Sequence, residues 1–262
     1  MSAIVEFGTK AETLERLSPH LRSVIVLPLV RFDVGEWMRD PQAILGRLRE
    51  SLPSTRWIVR SSARDEDGMG TSKAGAYLSV PDVDSKDGTA VASAIDRVLA
   101  TYVRRSDADQ ILVQQQLESI RLAGVLFCRD LSTLSAYRVF NYDDRSQSTS
   151  SVTSGKGRHL RTYVRFRGAN QPFPSIELQA VARAADEVEA LVGTDRIEME
   201  VAVDGSGRVC LFQVRPITTQ GSPPADAMVE DFLVKVRKKV EKLSDPHPYL
   251  YGRRSVFGVM PD

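Results

Sequence analysis

Leucines 14, 17 and 21 in "KAETLERLSPHL" fall three and four residues apart, the spacing of one helix face, and predict a short helix over 10–21. Trp37, Ile44, Leu45, Leu48 and Leu52 predict a second helix over 36–52, and Val91, Ile95, Val98, Leu99 and Tyr102 a third over 88–103. A fourth is outlined by Ile176, Val181, Ala185 and Val188. A fifth carries Val229, Phe232, Val236, Val240 and Leu243. Between them lie short runs rich in branched residues, which predict strands: "SVIVLPLVRF", "RWIVRSS", "ILVQQQL", "AGVLFCRDL", "AYRVFNYDD" and "TYVRFR". The clearest element is "IEMEVAVDGSGRVCLFQVRPIT", two alternating strands around a Gly-Ser-Gly turn. Polar stretches at 143–158 and 218–226 predict a loop and a linker. Strands and helices mix without a strict βαβ rhythm, so the expected class is α+β.

Composition narrows the function classes. Among 262 residues, 35 Lys and Arg face 34 Asp and Glu, a net charge of +1. No global field recruits nucleic acid or anionic lipid, so neither is expected as a partner, and an anion must find a local site. Cys128 and Cys210 both lie in apolar strand-like runs, which predicts core thiols rather than a disulfide or a zinc site and favours a reducing, cytoplasmic setting. No apolar run approaches the ~18 residues of a membrane span.

Three places offer chemistry. With a four-residue turn at 205–208, Asp204 opposes Val209 and Glu200 opposes Gln213, and Arg215 follows on the same face. A carboxylate and an amide oxygen side by side suit Mg²⁺, which takes few protein groups and completes its shell with phosphate and water. An exposed polar hairpin face is the plain alternative. Arg60 stands at the end of "RWIVRSS", and the loop after it, with Ser61, Ser62, Gly70, Thr71 and Gly75, has the composition of a phosphate cradle, although no Walker A pattern is present. A surface loop would have the same composition. "FGTK" places a glycine, a hydroxyl and Lys10 at a helix N-terminus, where anions are favoured, while an ordinary surface lysine would read the same way.

Together these stretches resemble a known family. "FGTK" is similar to a "GGKG" near the start, "VRSSARDEDGMGTSKAG" to a "VRSSATAED…SFAG" loop, and "MEVAVDGSGRVCLFQVRPIT" to the "IEWAVD…LQARPIT" ending of the nucleotide-binding domain of phosphoenolpyruvate synthase and pyruvate phosphate dikinase. The match covers 1–219. It implies an ATP-grasp-like fold with ATP between two α+β lobes, roughly 1–105 and 106–219, followed by a linker, a helix and the start of a further region over 220–262. It further implies that Lys10 and Arg60 contact phosphates under the 68–75 loop. Glu200 and Gln213 would hold Mg²⁺, Arg215 would neutralise transferred phosphate, and Gln114 or Gln116 would meet the adenine.

The family passes phosphate to a histidine in a "TSH" context on a separate domain. Here only His20, His159 and His247 occur, none in that context, so the phosphohistidine and acceptor domains are expected outside this chain. "FNYDDRSQSTSSVTSG" lacks the synthases' "GLGE" stretch, and with "KAETLERL" and the "VMPD" end it looks more like the L-glutamine kinase branch of capsular phosphoramidate synthesis. A pyruvate-phosphorylating synthase, an antibiotic phosphotransferase and a non-catalytic nucleotide-binding module stay open as alternatives.

Overall fold

Proline decides several boundaries. The computed structural model describes residues 4–64, 78–103, 105–145 and 160–244. The first helix, α1 (Lys10–Leu17), gives way to a 3-10 turn at Ser18–His20 containing Pro19. The single strand expected over "SVIVLPLVRF" is two: β1 (Val24–Ile25) and β2 (Leu29–Asp33), in different sheets on either side of Pro28. The helix expected over 36–52 is also two, α2 (Val34–Arg39) and α3 (Pro41–Ser51). The reason is steric: Pro41 drives Asp40 out of the helical region, to φ −149° and ψ 83°, and Asp40 then caps α3 by accepting from Ala43 N–H at 3.0 Å.

Two sheets follow. β2, β3 (Arg56–Ser62), β4 (Ser79–Asp84) and β5 (Gln110–Gln115) form a four-stranded sheet in the order β2-β5-β3-β4. β6 (Ile120–Phe127), β7 (Tyr137–Asp143), β8 (Arg161–Phe166), β9 (Ile197–Asp204) and β10 (Val209–Pro216) join β1 in a six-stranded sheet, order β1-β10-β9-β6-β7-β8. β1 runs parallel to β10 while the other pairs are antiparallel. The remaining helices are α4 (Gly88–Leu99), α5 (Ile176–Val192) and α6 (Asp226–Leu243). The α+β class is as expected. The chain passes from the small sheet to the large one between Gln115 and Ile120. β4 lay outside the expected strands, because Pro81 and Asp82, at φ 60°, interrupt its pattern at a bulge. As the sheet's edge strand, it tolerates both.

Each sheet packs one face under helices. On the four-stranded sheet, Trp57, Val59, Ile111 and Val113 pack under α3 and α4 with Ile44, Leu48, Ile95 and Val98. On the six-stranded sheet, Met199, Val201, Val203 and Leu211 pack under α5, and Leu14 and Leu17 of α1 join that core. The opposite faces mix polar residues with apolar ones, Leu112 on the small sheet and Ala123, Ala202 and Cys210 on the large one. By strand alternation Ser62, Gln110 and Gln114 share the second face of the small sheet with Arg60, and Glu198 and Glu200 share the second face of the large one.

A bulge sets the hairpin register. Val209 pairs with Val203 and Leu211 with Val201, one residue out of the register expected from a four-residue turn. Phe212 is then an extra residue on β10, and Gln213 pairs with Glu200 as expected. Continued without the bulge, the first register would place Gln213 opposite Met199 and turn its side chain into the core.

α6 packs differently from the rest, with no buried residue; Met228, Phe232, Val240 and Leu243 are exposed. Its first turn is tied down by Asp226, which accepts from Arg129 Nη1 at 3.4 Å. Among the described residues no helix is long and apolar enough to cross a membrane. Cys128 and Cys210 are buried free thiols, as expected.

Candidate nucleotide and metal site

The polar faces of the two sheets meet around Glu200. Arg60, at the end of β3 and 8% exposed, donates from Nη2 to Glu200 Oε2 at 2.8 Å and from Nη1 to the Phe212 carbonyl at 3.0 Å. Arg215 pairs with Glu198 across the β9–β10 ladder. Lys10 is buried at the start of α1. Burial works to raise the Glu200 carboxyl, but the charges of Arg60, Lys10 and Arg215 and the Arg60 hydrogen bond outweigh it and hold the group below its usual value. Gln213, also buried, sits beside Glu200 in the ladder. Five residues singled out by separate stretches of sequence, Lys10, Arg60, Glu200, Gln213 and Arg215, are thereby brought to one place.

Other expected residues have different tasks. Ser62 is on the site's face, but its Oγ accepts from Ala11 N–H at 3.0 Å and so docks α1 onto β3. Ser61 falls on the opposite face, aligned with Trp57 and Val59 toward the α3–α4 core, because alternate residues of a strand point to opposite sides. Gln116 gives its side-chain oxygen to Asp82 N–H at the β4 bulge, which makes it a brace for that kink. Gln114 is wholly buried; its Nε2 donates to Leu27 O at 3.2 Å, and its Oε1 has no partner among the described residues. Gly70, Thr71 and Gly75 lie outside the described residues, as do His159 and His247. His20 is exposed in the 3-10 turn.

At the N-terminus of α1, where an anion was expected to be favoured, several amides are engaged by the protein's own groups. Thr9 Oγ1 accepts from Glu12 N–H and Glu12 returns to Thr9 N–H at 3.2 Å, a capping box, while Gly8 N–H donates to Thr13 Oγ1 at 3.0 Å. The Lys10 ammonium adds a full charge at this end of the helix. Thr9 also donates to Gln110 Oε1 at 2.6 Å, fixing α1 against β5. A Thr9→Ala variant is expected to lose about 1 kcal/mol of stability, measured by urea unfolding.

Sequence reasoning missed Glu198, Gln110 and the role of Phe212. The first two are polar residues in an alternating strand pattern, and alternation alone marks them as belonging to the polar face. Phe212 has no such signal. Its carbonyl turns to Arg60 at the bulge, and a bulge leaves no mark in the apolar pattern. Among the described residues no three His, Cys, Asp or Glu side chains cluster as a metal cage.

No family model and no curated protein matches the chain by sequence. Solved structures give partial likenesses in chain path. The D-alanine-D-alanine ligase from Coxiella burnetii is 12% identical at a TM-score of 0.39, covering 83% of this chain and 55% of that one. D-alanyl-alanine synthetase A from Vibrio cholerae is 12% identical at 0.44, covering 82% and 60%. The L-amino acid ligase from Bacillus licheniformis is 13% identical at 0.47, covering 87% and 46%. This chain therefore spans about half the length of these proteins. At such scores they assign no role to any residue.

Proposed function

We propose that this chain is the ATP-binding part of an ATP-grasp-like, dikinase-type phosphotransferase. The observation that carries this reading is the meeting of Lys10, Arg60 and Arg215 around Glu200, with Gln213 beside it in the ladder, where two sheets face one another. Three cations, Lys10 and Arg60 buried and Arg215 partly so, with Glu200 and the Gln213 amide oxygen fit a polyphosphate and a hard cation together, while Glu198 pairs with Arg215; Mg²⁺ takes one or two protein oxygens and the rest of its shell from phosphate and water. The orphaned Oε1 of Gln114 on the same face fits a donor from a base such as the adenine amine, because a buried acceptor without a partner is costly.

Phosphoryl transfer is governed by positioning and by neutralising charge that spreads over phosphate oxygens. Lys10, Arg60 and Arg215 would supply fixed positive charge in a water-poor setting, and Glu200 and Gln213 would hold Mg²⁺. The ion they would hold would supply further neutralisation of phosphate charge. In the full reading, phosphate passes to a histidine on a separate domain and then to an acceptor, a glutamine amide, with AMP and phosphate released. That acceptor, the capsular setting and the glutamine kinase branch rest on the sequence resemblance alone.

Calorimetric titration of this chain with ATP tests the site. Binding is expected with Mg²⁺ and much weaker binding without it. Equal affinity in both conditions would leave a nucleotide-binding module without a metal-dependent reaction, and no binding to a folded chain would remove the nucleotide assignment for this chain on its own.

A further inference from the structure

We propose that Arg60 is a displaceable clamp that keeps the metal site closed until polyphosphate arrives, so that this chain takes a divalent cation only together with nucleotide. The proposal rests on the nucleotide reading above and adds an order of events to it. Arg60 belongs to the small sheet, yet both of its terminal nitrogens bond to the large one: Nη2 to Glu200 Oε2 at 2.8 Å and Nη1 to Phe212 O at 3.0 Å. The second bond exists because of the bulge, where the extra residue Phe212 leaves the ladder and frees its carbonyl. The carboxylate best suited to a cation is therefore engaged by a guanidinium that also joins the sheets.

Charge and satisfaction both favour the exchange. Among the described residues Lys10, Arg60 and Arg215 outnumber Glu198 and Glu200, and the Glu200 carboxylate is already paired, so a bare divalent cation is disfavoured there. A polyphosphate reverses that balance. The clamp is also imperfect: Arg60 Nε is buried with no partner among the described residues, so the ion pair leaves one donor unmet. Phosphate oxygens accept from guanidinium in bidentate fashion, which meets this need and releases Glu200. The Phe212 carbonyl gives Arg60 a second anchor, so the side chain can pivot from the carboxylate without leaving the interface. Nucleotide and metal binding then become mutually reinforcing, with the sheet-to-sheet contact as the element both act on.

Mn²⁺, followed by the paramagnetic resonance of the free ion, provides the readout. The wild-type chain is expected to bind Mn²⁺ negligibly alone and to gain a site on addition of a non-hydrolysable ATP analogue. Arg60→Met is expected to tighten nucleotide-free Mn²⁺ binding by about tenfold or more, the coupling of a close charge pair, and adding Glu200→Gln should abolish that gain. Equal Mn²⁺ affinity, with and without the analogue, of a wild-type chain that binds the analogue would overturn the proposal, as would the absence of any gain in a folded Arg60→Met chain. Should that variant fail to fold by circular dichroism, Arg60→Gln repeats the test, and the wild-type comparison needs no variant. If the wild-type chain binds no nucleotide, the functional reading fails, while an Mn²⁺ gain in Arg60→Met still supports the clamp.

Discussion

Glu200→Ala is expected to destabilise the chain by about 3 kcal/mol at neutral pH and to erase the metal-dependent part of ATP binding. Both effects have one cause. Arg60 is buried with Nη2 committed to Glu200, and Lys10 and Arg215 add their charge to the same carboxyl, so removal of the carboxylate leaves clustered cations without their counter-charge. Breaking a buried pair from one side costs more than the pair itself contributes, because the surviving charge loses both water and partner. Glu200→Gln separates the two effects: it keeps the volume and an oxygen near Arg60, and it should recover part of the stability but not the metal dependence. Urea unfolding measures the first, calorimetry with and without Mg²⁺ the second. A Glu200→Ala chain of wild-type stability whose ATP affinity still responds to Mg²⁺ would show that Glu200 neither holds the sheets together nor serves the metal.

The effect should also depend on pH in a defined direction. Glu200 has a folded-state pKa below its unfolded value, so its contribution is present above the usual carboxylate range and is lost as pH falls through the lowered value. The stability gap between wild type and Glu200→Ala is therefore expected to be full at pH 7 and to close on acidification.

How much of this was legible in the sequence depends on what each feature leaves there. Helices α4 and α5 and the β9–β10 hairpin announce themselves, because burial on one side imposes a period. The pairing of Glu200 with Gln213 was reached by counting from a four-residue turn. In the structure two deviations cancel: the turn displaces the first pairs by one residue, and Phe212 takes the residue back. Bulges carry no periodic signal, so neither step could be seen. The splitting of 23–32 between two sheets and of 36–52 into two helices follows from Pro28 and Pro41, both present in the sequence but overridden there by the surrounding apolar pattern. Side-chain duties were the least legible. Ser62 and Gln116 have the chemistry of ligand groups, and the structure uses them to hold α1 and a bulge. Which of several hydroxyls and amides faces a ligand is settled by neighbours distant along the chain. Arg60 and Glu200 meet across the two sheets, and α1, docked on β3 and β5, brings Lys10 to them.

Asp204 shows how the site depends on a residue outside it. Its Oδ1 accepts from Ser206 N–H at 2.9 Å, Ser206 O–H at 2.6 Å and Arg208 N–H at 2.9 Å, and its Oδ2 accepts from Arg208 Nε at 2.9 Å. The carboxylate thus pins the turn that carries Gly207 at φ 88°, a conformation that suits glycine. Burial works to raise the Asp204 carboxyl, but these bonds from Ser206 and Arg208 prevail and bring it from 3.8 to about 2. A shift of that size corresponds to about 2.5 kcal/mol of stability. Because the folded value is the lower one, this contribution is complete above the unfolded value near 4 and fades as pH falls toward 2. Asp204→Ala is accordingly expected to lose about 2.5 kcal/mol at pH 7 and to approach the wild type near pH 2, with Asp204→Asn in between because one oxygen still accepts. The turn sets where β10 begins, so loosening it should also weaken Mg²⁺-dependent ATP binding although Asp204 touches none of Lys10, Arg60 or Glu200 through a described hydrogen bond. Unfolding curves at pH 7 and pH 2.5 with calorimetry at pH 7 test both halves. An unchanged ATP affinity in a destabilised Asp204→Ala chain would mean that the bulge at Phe212, and not the turn, holds Glu200 and Gln213 in register.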